Sequence, residues 1–458
     1  EFMKNIGWLS NLKIRASWGQ IGNNRITDKD GYQDYYGYQA TYKTYNYSFG
    51  GAQAAALAQN RIGNSRLEWE STTVTNFGVD AGFLNNRLTA ELDVYNKVTD
   101  GILTTPNLHL TMGIKTPPTM NTAEVTNRGF ELTVGWKDHV GDFNYAVSTN
   151  FSYNHNEVTK YLGKYEAGWV EKDGKKVWQS NIGDVSVDKD KGRIVEGHPI
   201  KEYYTLNTYS GNGTHFNSDG SVNINGGPKD GMIRTEGDMK WLNAMIDAGY
   251  KFMPNQSVGR NNIYYGDLIY ADLNGDGIYG SSYDYDFQGS SAMPKFGYGI
   301  NISASWKNFD LSMLWAGNGG FKLYWEEDPY NSVAIRNGFA TSERVANDHY
   351  FYDPENPTDS RTNLNGYIPR LVENSKQSRQ TSNYYLYNGT YMKLKNLTIG
   401  YTLPVTLTEK ISAERVRVYL SGENLFTITS FPGQDPEMGA TTNYPSLRQF
   451  AAGISVTF

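Results

Sequence analysis

A chain of 458 residues with no cysteine, 35 tyrosines, 10 tryptophans and a net charge of −6 could hold one large β unit or two or three ordinary domains. The missing thiols exclude disulfide frameworks and thiolate-metal centres, and a mildly acidic balance without a basic run or zinc-knuckle spacing gives no footing for nucleic acid. No stretch approaches the roughly 18 consecutive apolar residues of a membrane helix, whereas transmembrane strands of about 10 residues, half of whose side chains face a wet lumen, fit a mean hydropathy of −0.59.

Alternation begins near the start, where Leu12, Ile14, Ala16 and Trp18 interleave with Lys13, Arg15 and Ser17. It returns in Leu88, Ala90, Leu92 and Val94 against Thr89, Glu91, Asp93 and Tyr95. Phe143, Tyr145, Val147, Thr149, Phe151 and Tyr153 alternate with Asn144, Ala146, Ser148, Asn150, Ser152 and Asn154, a run well beyond the usual strand of about 5–6 residues. A further run sets Phe296, Tyr298, Ile300, Ile302, Ala304 and Trp306 against Gly297, Gly299, Asn301, Ser303 and Ser305. Carboxylates and a guanidinium on the less greasy face suit a water-filled lumen better than a second core.

Turn chemistry supplies independent support. FLNNRL (Phe83–Leu88) and WKNF (Trp306–Phe309) read as hairpins closed in about two residues, with asparagine tolerating positive φ, and WKDHVGDF (Trp136–Phe143) is nearly as short. Between them lie long connections at about 19–74, 97–128, 155–262 and 318–390. Alternation of short and long links puts the tight turns at one end of a sheet and the long loops at the other, the asymmetry of outer-membrane barrels. Aromatics at strand ends, Trp18, Trp136, Tyr153, Trp306 and Trp315, match interface girdles, and no blade-length repeat points to a propeller. The fold expected is an all-β, antiparallel transmembrane β-barrel.

The stretch DLNGDG places Asp272, Asn274 and Asp276 at positions 1, 3 and 5 of a calcium-type loop, with Gly277 at the bend. Tyr283 stands where a closing carboxylate belongs, so Asp284 or Asp286 would have to substitute; the other reading is a tight Asn-Gly/Asp-Gly turn. Six scattered histidines, no nucleophile elbow and no Walker loop argue against an enzyme. The acidic run Glu326, Glu327 and Asp328 reads as solvated loop charge. Tyrosine-rich stretches at Tyr32–Phe49 and Asn383–Leu394 have the rings and amides to contact sugars or peptides, and equally to serve as girdle and rim. The final stretch, RQFAAGISVTF, puts Phe450, Ile454, Val456 and Phe458 on one face of a strand.

Seven segments in order, WLSNLKIRASWGQIGNN (Trp8–Asn24), LEWESTTVTNFGVDAGFLNNRLTAELDVYNKVTDGIL (Leu67–Leu103), NRGFELTVGW (Asn127–Trp136), EGHPIKEYY (Glu196–Tyr204), ADLNGDG (Ala271–Gly277), YMKLKNLTIGYTLP (Tyr391–Pro404) and RVYLSGENLFTIT (Arg417–Thr429), resemble the SusC/RagA family of TonB-dependent outer-membrane transporters. The resemblance implies a barrel of about 22 strands around a plug, in the outer membrane of a Gram-negative, Bacteroidetes-type bacterium. It also implies active import of oligosaccharides or peptides, with a SusD-like surface lipoprotein as lid, TonB as energy source, and pairing of transporter–lipoprotein units into a dimer. Phe450, Ile454, Val456 and Phe458 resemble the assembly signal read by the barrel-assembly machinery. The family's loop usually runs on to an acid where this chain has Tyr283, so calcium gains no support, and no cofactor is required. The family's signal peptide, TonB-contact segment and plug precede the region that Glu1 matches. Residues 1–458 are therefore expected to be the carboxyl-terminal part of one barrel domain, with about 12–14 strands at ~10 residues each. A passive porin-like channel and a soluble β-rich glycan-binding or adhesion protein remain as other readings.

Overall fold

The computed structural model describes residues 6–26, 33–104, 118–189, 191–325, 342–372, 376–440 and 444–458. Ten strands form one antiparallel sheet in chain order: β1 (Leu9–Asn23), β2 (Glu70–Phe83), β3 (Leu88–Thr104), β4 (Met120–Val140), β5 (Phe143–Lys160), β6 (Phe296–Trp306), β7 (Phe309–Gly319), β8 (Tyr391–Thr402), β9 (Arg415–Thr429) and β10 (Gln449–Thr457). That is fewer than the 12–14 expected. Tyr264–Leu273, inside the connection from β5 to β6, contributes Leu268, Ile269 and Tyr270 to a buried core outside the sheet instead.

Register explains why the alternation is shared by every strand. Ile14 pairs with Val79, Val79 with Leu92 and Leu92 with Leu132, while Val147 pairs with both Trp136 and Ile302. The row continues from Ile302 to Met313 and on to Leu397; alongside it, Ile399 pairs with Leu420, and Val418 with Ile454. One apolar face thus runs unbroken across all ten strands, and a one-residue slip anywhere would turn a strand's greasy side inward. Leu420 is 64% exposed and Ile454 69%. Side chains of this size left in contact with the surroundings, row after row, need a non-aqueous neighbour.

Aromatic rings border this face at both ends. Phe143 stacks on Tyr145 at 5.7 Å and Phe309 lies 4.7 Å from Tyr401 near the tight turns. Toward the long loops, Phe296 meets Phe151 at 6.0 Å and Tyr153 at 5.6 Å, and Trp315 lies edge-on to Phe426 at 5.3 Å. From Phe143 to Tyr153 a strand climbs about 33 Å at ~3.3 Å per residue, or about 25 Å along the membrane normal at ~40° tilt, the height of an outer-membrane apolar band.

The tight turns differ from expectation in detail. Phe83 pairs with Leu88 across a four-residue turn in which Leu84, Asn85 and Asn86 all have positive φ, and the Leu84 amide is anchored on the Trp8 carbonyl at 3.0 Å. Val140 pairs with Phe143, so Gly141 and Asp142 alone close that hairpin, with Gly141 at φ 59°. In WKNF it is Lys307, at φ 51°, that takes the left-handed conformation.

At the other end the ladders outlast the expected loop boundaries. β1 and β2 remain paired to Asn23–Glu70, and β3 and β4 to Thr104–Met120. A hairpin of Thr41–Phe49 and Ala52–Arg61 rises from the first connection. The link from β5 to β6 extends to residue 295, and it folds with the link from β7 to β8 into a lobe with its own core. That core centres on Trp241, Leu242 and Met245 of helix α1 (Glu236–Asp247), packed with Leu268, Tyr270 and Tyr350. The helix starts at a reciprocal cap: the Asp238 amide donates to Thr235 Oγ1 at 3.1 Å and the Thr235 amide donates to the Asp238 carboxylate at 2.9 Å. Arg370 reaches Asp267 at 2.6 Å, the Ser378 hydroxyl donates to the same carboxylate at 3.1 Å, and Tyr270 donates to the Gln377 carbonyl at 2.8 Å. Each of these contacts ties one long link to the other.

Candidate functional site: the inner face and its vestibule

The face opposite the apolar one is built from the alternate residues and is mostly polar or small. On β1, β2 and β3 the Arg15 guanidinium spans Asp80 at 2.6 Å and Asp93 at 2.8 Å, and Asn76 donates to Asp93 at 3.0 Å. Gly78 lies between Arg15 and Asp93 in the ladder, and a Cβ there would sit 2.5 Å from the Asp93 carboxylate. Glycine is what lets the guanidinium lie flat across the strand. The pattern recurs at Gly400, beside Asp310 and Arg417, whose Nε donates at 2.8 Å. Between these charged flanks, β5 and β6 offer Ser148, Asn150, Ser152, Gly297, Gly299, Asn301 and Ser303, all small or uncharged.

Above the wall, residues 430–440 follow β9 as a strap that lies over β8. Phe431 is buried against Phe321, Trp325 and Tyr391. Lys393 occupies the inner face of β8 opposite Ala316; its side chain is 2% exposed, and its ammonium contacts Asp435 and, at 2.7 Å, Glu437. Lys395 also holds Glu437, and the Ser446 hydroxyl donates to Asp435 at 2.6 Å. Burial works against ionisation of both acids, but these donors outweigh it and hold Asp435 and Glu437 below the usual carboxylate range. Sequence spacing could not announce a pair 42 residues apart; the Asp435-Pro436 step, a turn initiator, was the only local signal.

The strap's Pro436, Glu437 and Ala440 form one side of a hollow of about 600 Å³, whose other walls are Tyr203, Phe321, Leu323 and Tyr391, with Lys191 at its edge. The second tyrosine-rich stretch is therefore largely structural: Tyr385 is 1% and Tyr391 4% exposed. Tyr35, Tyr36, Tyr42 and Tyr47 of the first stretch are exposed. Glu326, Glu327 and Asp328 lie outside the described residues.

DLNGDG forms a self-knitted turn. The Asp272 carboxylate accepts from the amides of Gly275, Asp276 and Gly277 at 2.6, 3.2 and 2.9 Å. Asp276 accepts from Ile278 and from the Asn274 side chain, and the buried Asp284 accepts from Leu273 and Ser281. The carboxylates accept backbone donors as in a tight Asx-type turn, and among the described residues no group of three or more His, Cys, Asp or Glu is gathered to hold a metal ion. Asp272→Ala is expected to lower the melting temperature of the full-length protein by the same few degrees in EDTA and in millimolar calcium. Stabilisation by calcium that vanishes in the variant would instead assign an ion to the loop.

On β10, Phe450, Ile454 and Val456 pair with Gly422, Val418 and Val416 and share the outward row, with exposed Phe458 just beyond the strand.

The family profile described as TonB dependent receptor-like, beta-barrel, matches residues 5–252. Similar curated proteins include TonB-dependent receptor SusC of Bacteroides thetaiotaomicron, 26% identical over 463 residues, and TonB-dependent receptor P3 of Formosa agariphila, 26% identical over 474 residues. These matches take in 100% of this chain but 38% and 40% of those proteins, so the chain spans about two fifths of their length. Among solved structures, the RagAB peptide importer in its open-open state aligns over 100% of this chain and 41% of that one, with a TM-score of 0.66 and 23% identity. Its closed-closed state gives a TM-score of 0.65 at the same identity, covering 42% of that chain. These likenesses show a shared fold.

Proposed function

The chain belongs to the TonB dependent receptor-like β-barrel family, and from that premise we propose that it forms ten strands of the wall of an outer-membrane importer, together with the vestibule loops above them. The observation that carries this reading is the apolar row in register across all ten strands, backed by a polar inner face and crowned at one end by long loops. Strands β1 and β10 form the two edges of the sheet; in lipid their ladder groups need partners, so the wall works as part of a closed barrel.

In the proposed cycle, oligosaccharide or peptide cargo enters from the loop side beneath a SusD-like lipoprotein, and TonB opens the passage from the periplasm. Likeness to SusC and to the RagAB importer supports the lid and the energy source. The relatives' origin supports a Bacteroidetes-type outer membrane. Phe450, Ile454, Val456 and Phe458 are assigned to recognition by the assembly machinery, and no residue is assigned bond chemistry. Dimerisation of transporter–lipoprotein pairs belongs to the same proposal.

The test uses the full-length protein expressed in its own host. Membrane fractionation should recover it with outer-membrane lipid as a heat-modifiable band, and cargo accumulation should stop when the proton gradient is collapsed. Uptake that persists without the gradient, with conductance in planar bilayers, would mean a passive channel. Recovery in the detergent-free soluble fraction would mean a secreted binding protein.

A further inference from the structure

Resting on the import reading, we infer that the hollow under the strap is a subsite for an apolar side chain of a peptide, so that the cargo is peptide rather than glycan. Its volume of about 600 Å³ lies within the ~300–1,000 Å³ of small-molecule sites, room enough for a side chain and its neighbouring backbone. Its walls are mostly apolar, with Phe321, Leu323, the rings of Tyr203 and Tyr391, and Ala440 from the strap, and they also include Lys191, Asn318, Tyr324 and Glu437.

The polar atoms among them are already committed. The Tyr203 hydroxyl donates to the Lys322 carbonyl at 3.1 Å, the Tyr391 hydroxyl accepts from the Asn318 amide at 3.0 Å, and both oxygens of Glu437 are held by Lys393 and Lys395. A sugar ring, with a hydroxyl on nearly every carbon, would surrender its hydration here and find few partners. An apolar side chain loses no hydrogen bond and gains burial.

The experiment titrates the full-length transporter, purified in detergent with its lipoprotein, against acetyl-Ala-Leu-Leu-Ala-amide and against maltoheptaose by calorimetry. The tetrapeptide should bind, and Ala440→Trp, which fills the hollow from the strap side, should weaken it at least about tenfold, the effect of denying burial to one leucine-sized group. Ala292→Trp, at another lining position of the hollow, should act in the same direction, which guards against a folding defect in either variant alone. Wild-type protein that binds no tetrapeptide at millimolar concentration overturns the inference. So does tetrapeptide affinity in both tryptophan variants that is unchanged from wild type, or maltoheptaose binding that they abolish. Energised uptake in cells is read separately: uptake without the tryptophan effect removes this subsite alone, whereas loss of energised uptake removes the import reading and leaves the binding contrast to stand or fall by itself.

Discussion

Arginine in place of Ile302 lowers the stability of the assembled full-length barrel by about 2–4 kcal/mol, the cost of a cation near the bilayer midplane. Ile302 pairs with Val147 on one side and Met313 on the other, mid-way between the Phe143 and Tyr153 girdle positions. Ser303, the next residue, pairs with Ala146 and Ser312 and turns to the opposite face, so Ser303→Arg costs no more than about 1 kcal/mol by the same scale. Guanidinium unfolding in lipid vesicles measures both. Equal losses at the two positions, or a larger loss at Ser303, would mean that the assignment of faces is inverted or that no membrane is present.

The second large effect falls on the strap. Lys393→Ala removes the ammonium from between Asp435 and Glu437 and leaves a nearly buried carboxylate without its counter-charge, a change of about 3–5 kcal/mol in the local opening free energy. Amide exchange across residues 431–440 should quicken by about two to four orders of magnitude, while β8 and β9 keep their protection. Unchanged exchange would show that the packing of Phe431 alone retains the strap.

The same triad sets a pH dependence. Asp435 and Glu437 sit below the unfolded carboxylate values of about 3.9 and 4.3, so their contribution is fully present above about pH 4–5 and disappears as pH falls through their lower folded values. Residues 1–458 contain no cysteine, so Met438→Cys gives a labelling position on the strap that is unique within this segment. A fluorophore there should report release below about pH 4 in the wild type and a displaced strap at neutral pH in Lys393→Ala.

The wall was readable because its information is local. Period-two alternation in Phe143–Tyr153 and Phe296–Trp306 needs only the pleat of a strand, and the register that aligns these runs follows once each greasy face must meet the same lipid. Turn lengths were less readable. Leu84 takes a positive φ that its side chain disfavours, and its amide is captured by the carbonyl of Trp8, which lies just ahead of β1 and is distant in sequence. The vestibule was the hardest part. Lys393 looks like one more polar residue of an alternating strand, and Tyr385 and Tyr391 look like rim aromatics, until strap and lobe close over them. Nothing in the pattern around Asp272 distinguishes an ion loop from a turn; that depends on where the carboxylates point, which is a tertiary fact.

The contacts that weld the two long links have an evolutionary corollary. Asp267 and Ser378, Tyr270 and Gln377, and Asp267 and Arg370 are each split between segments separated in the sequence by two wall strands. A recombination event that exchanges one link between relatives would import half of each pair, stranding a carboxylate or an amide in the lobe's interior. Loop grafting into this chain should therefore move both links together, as a single heritable cassette.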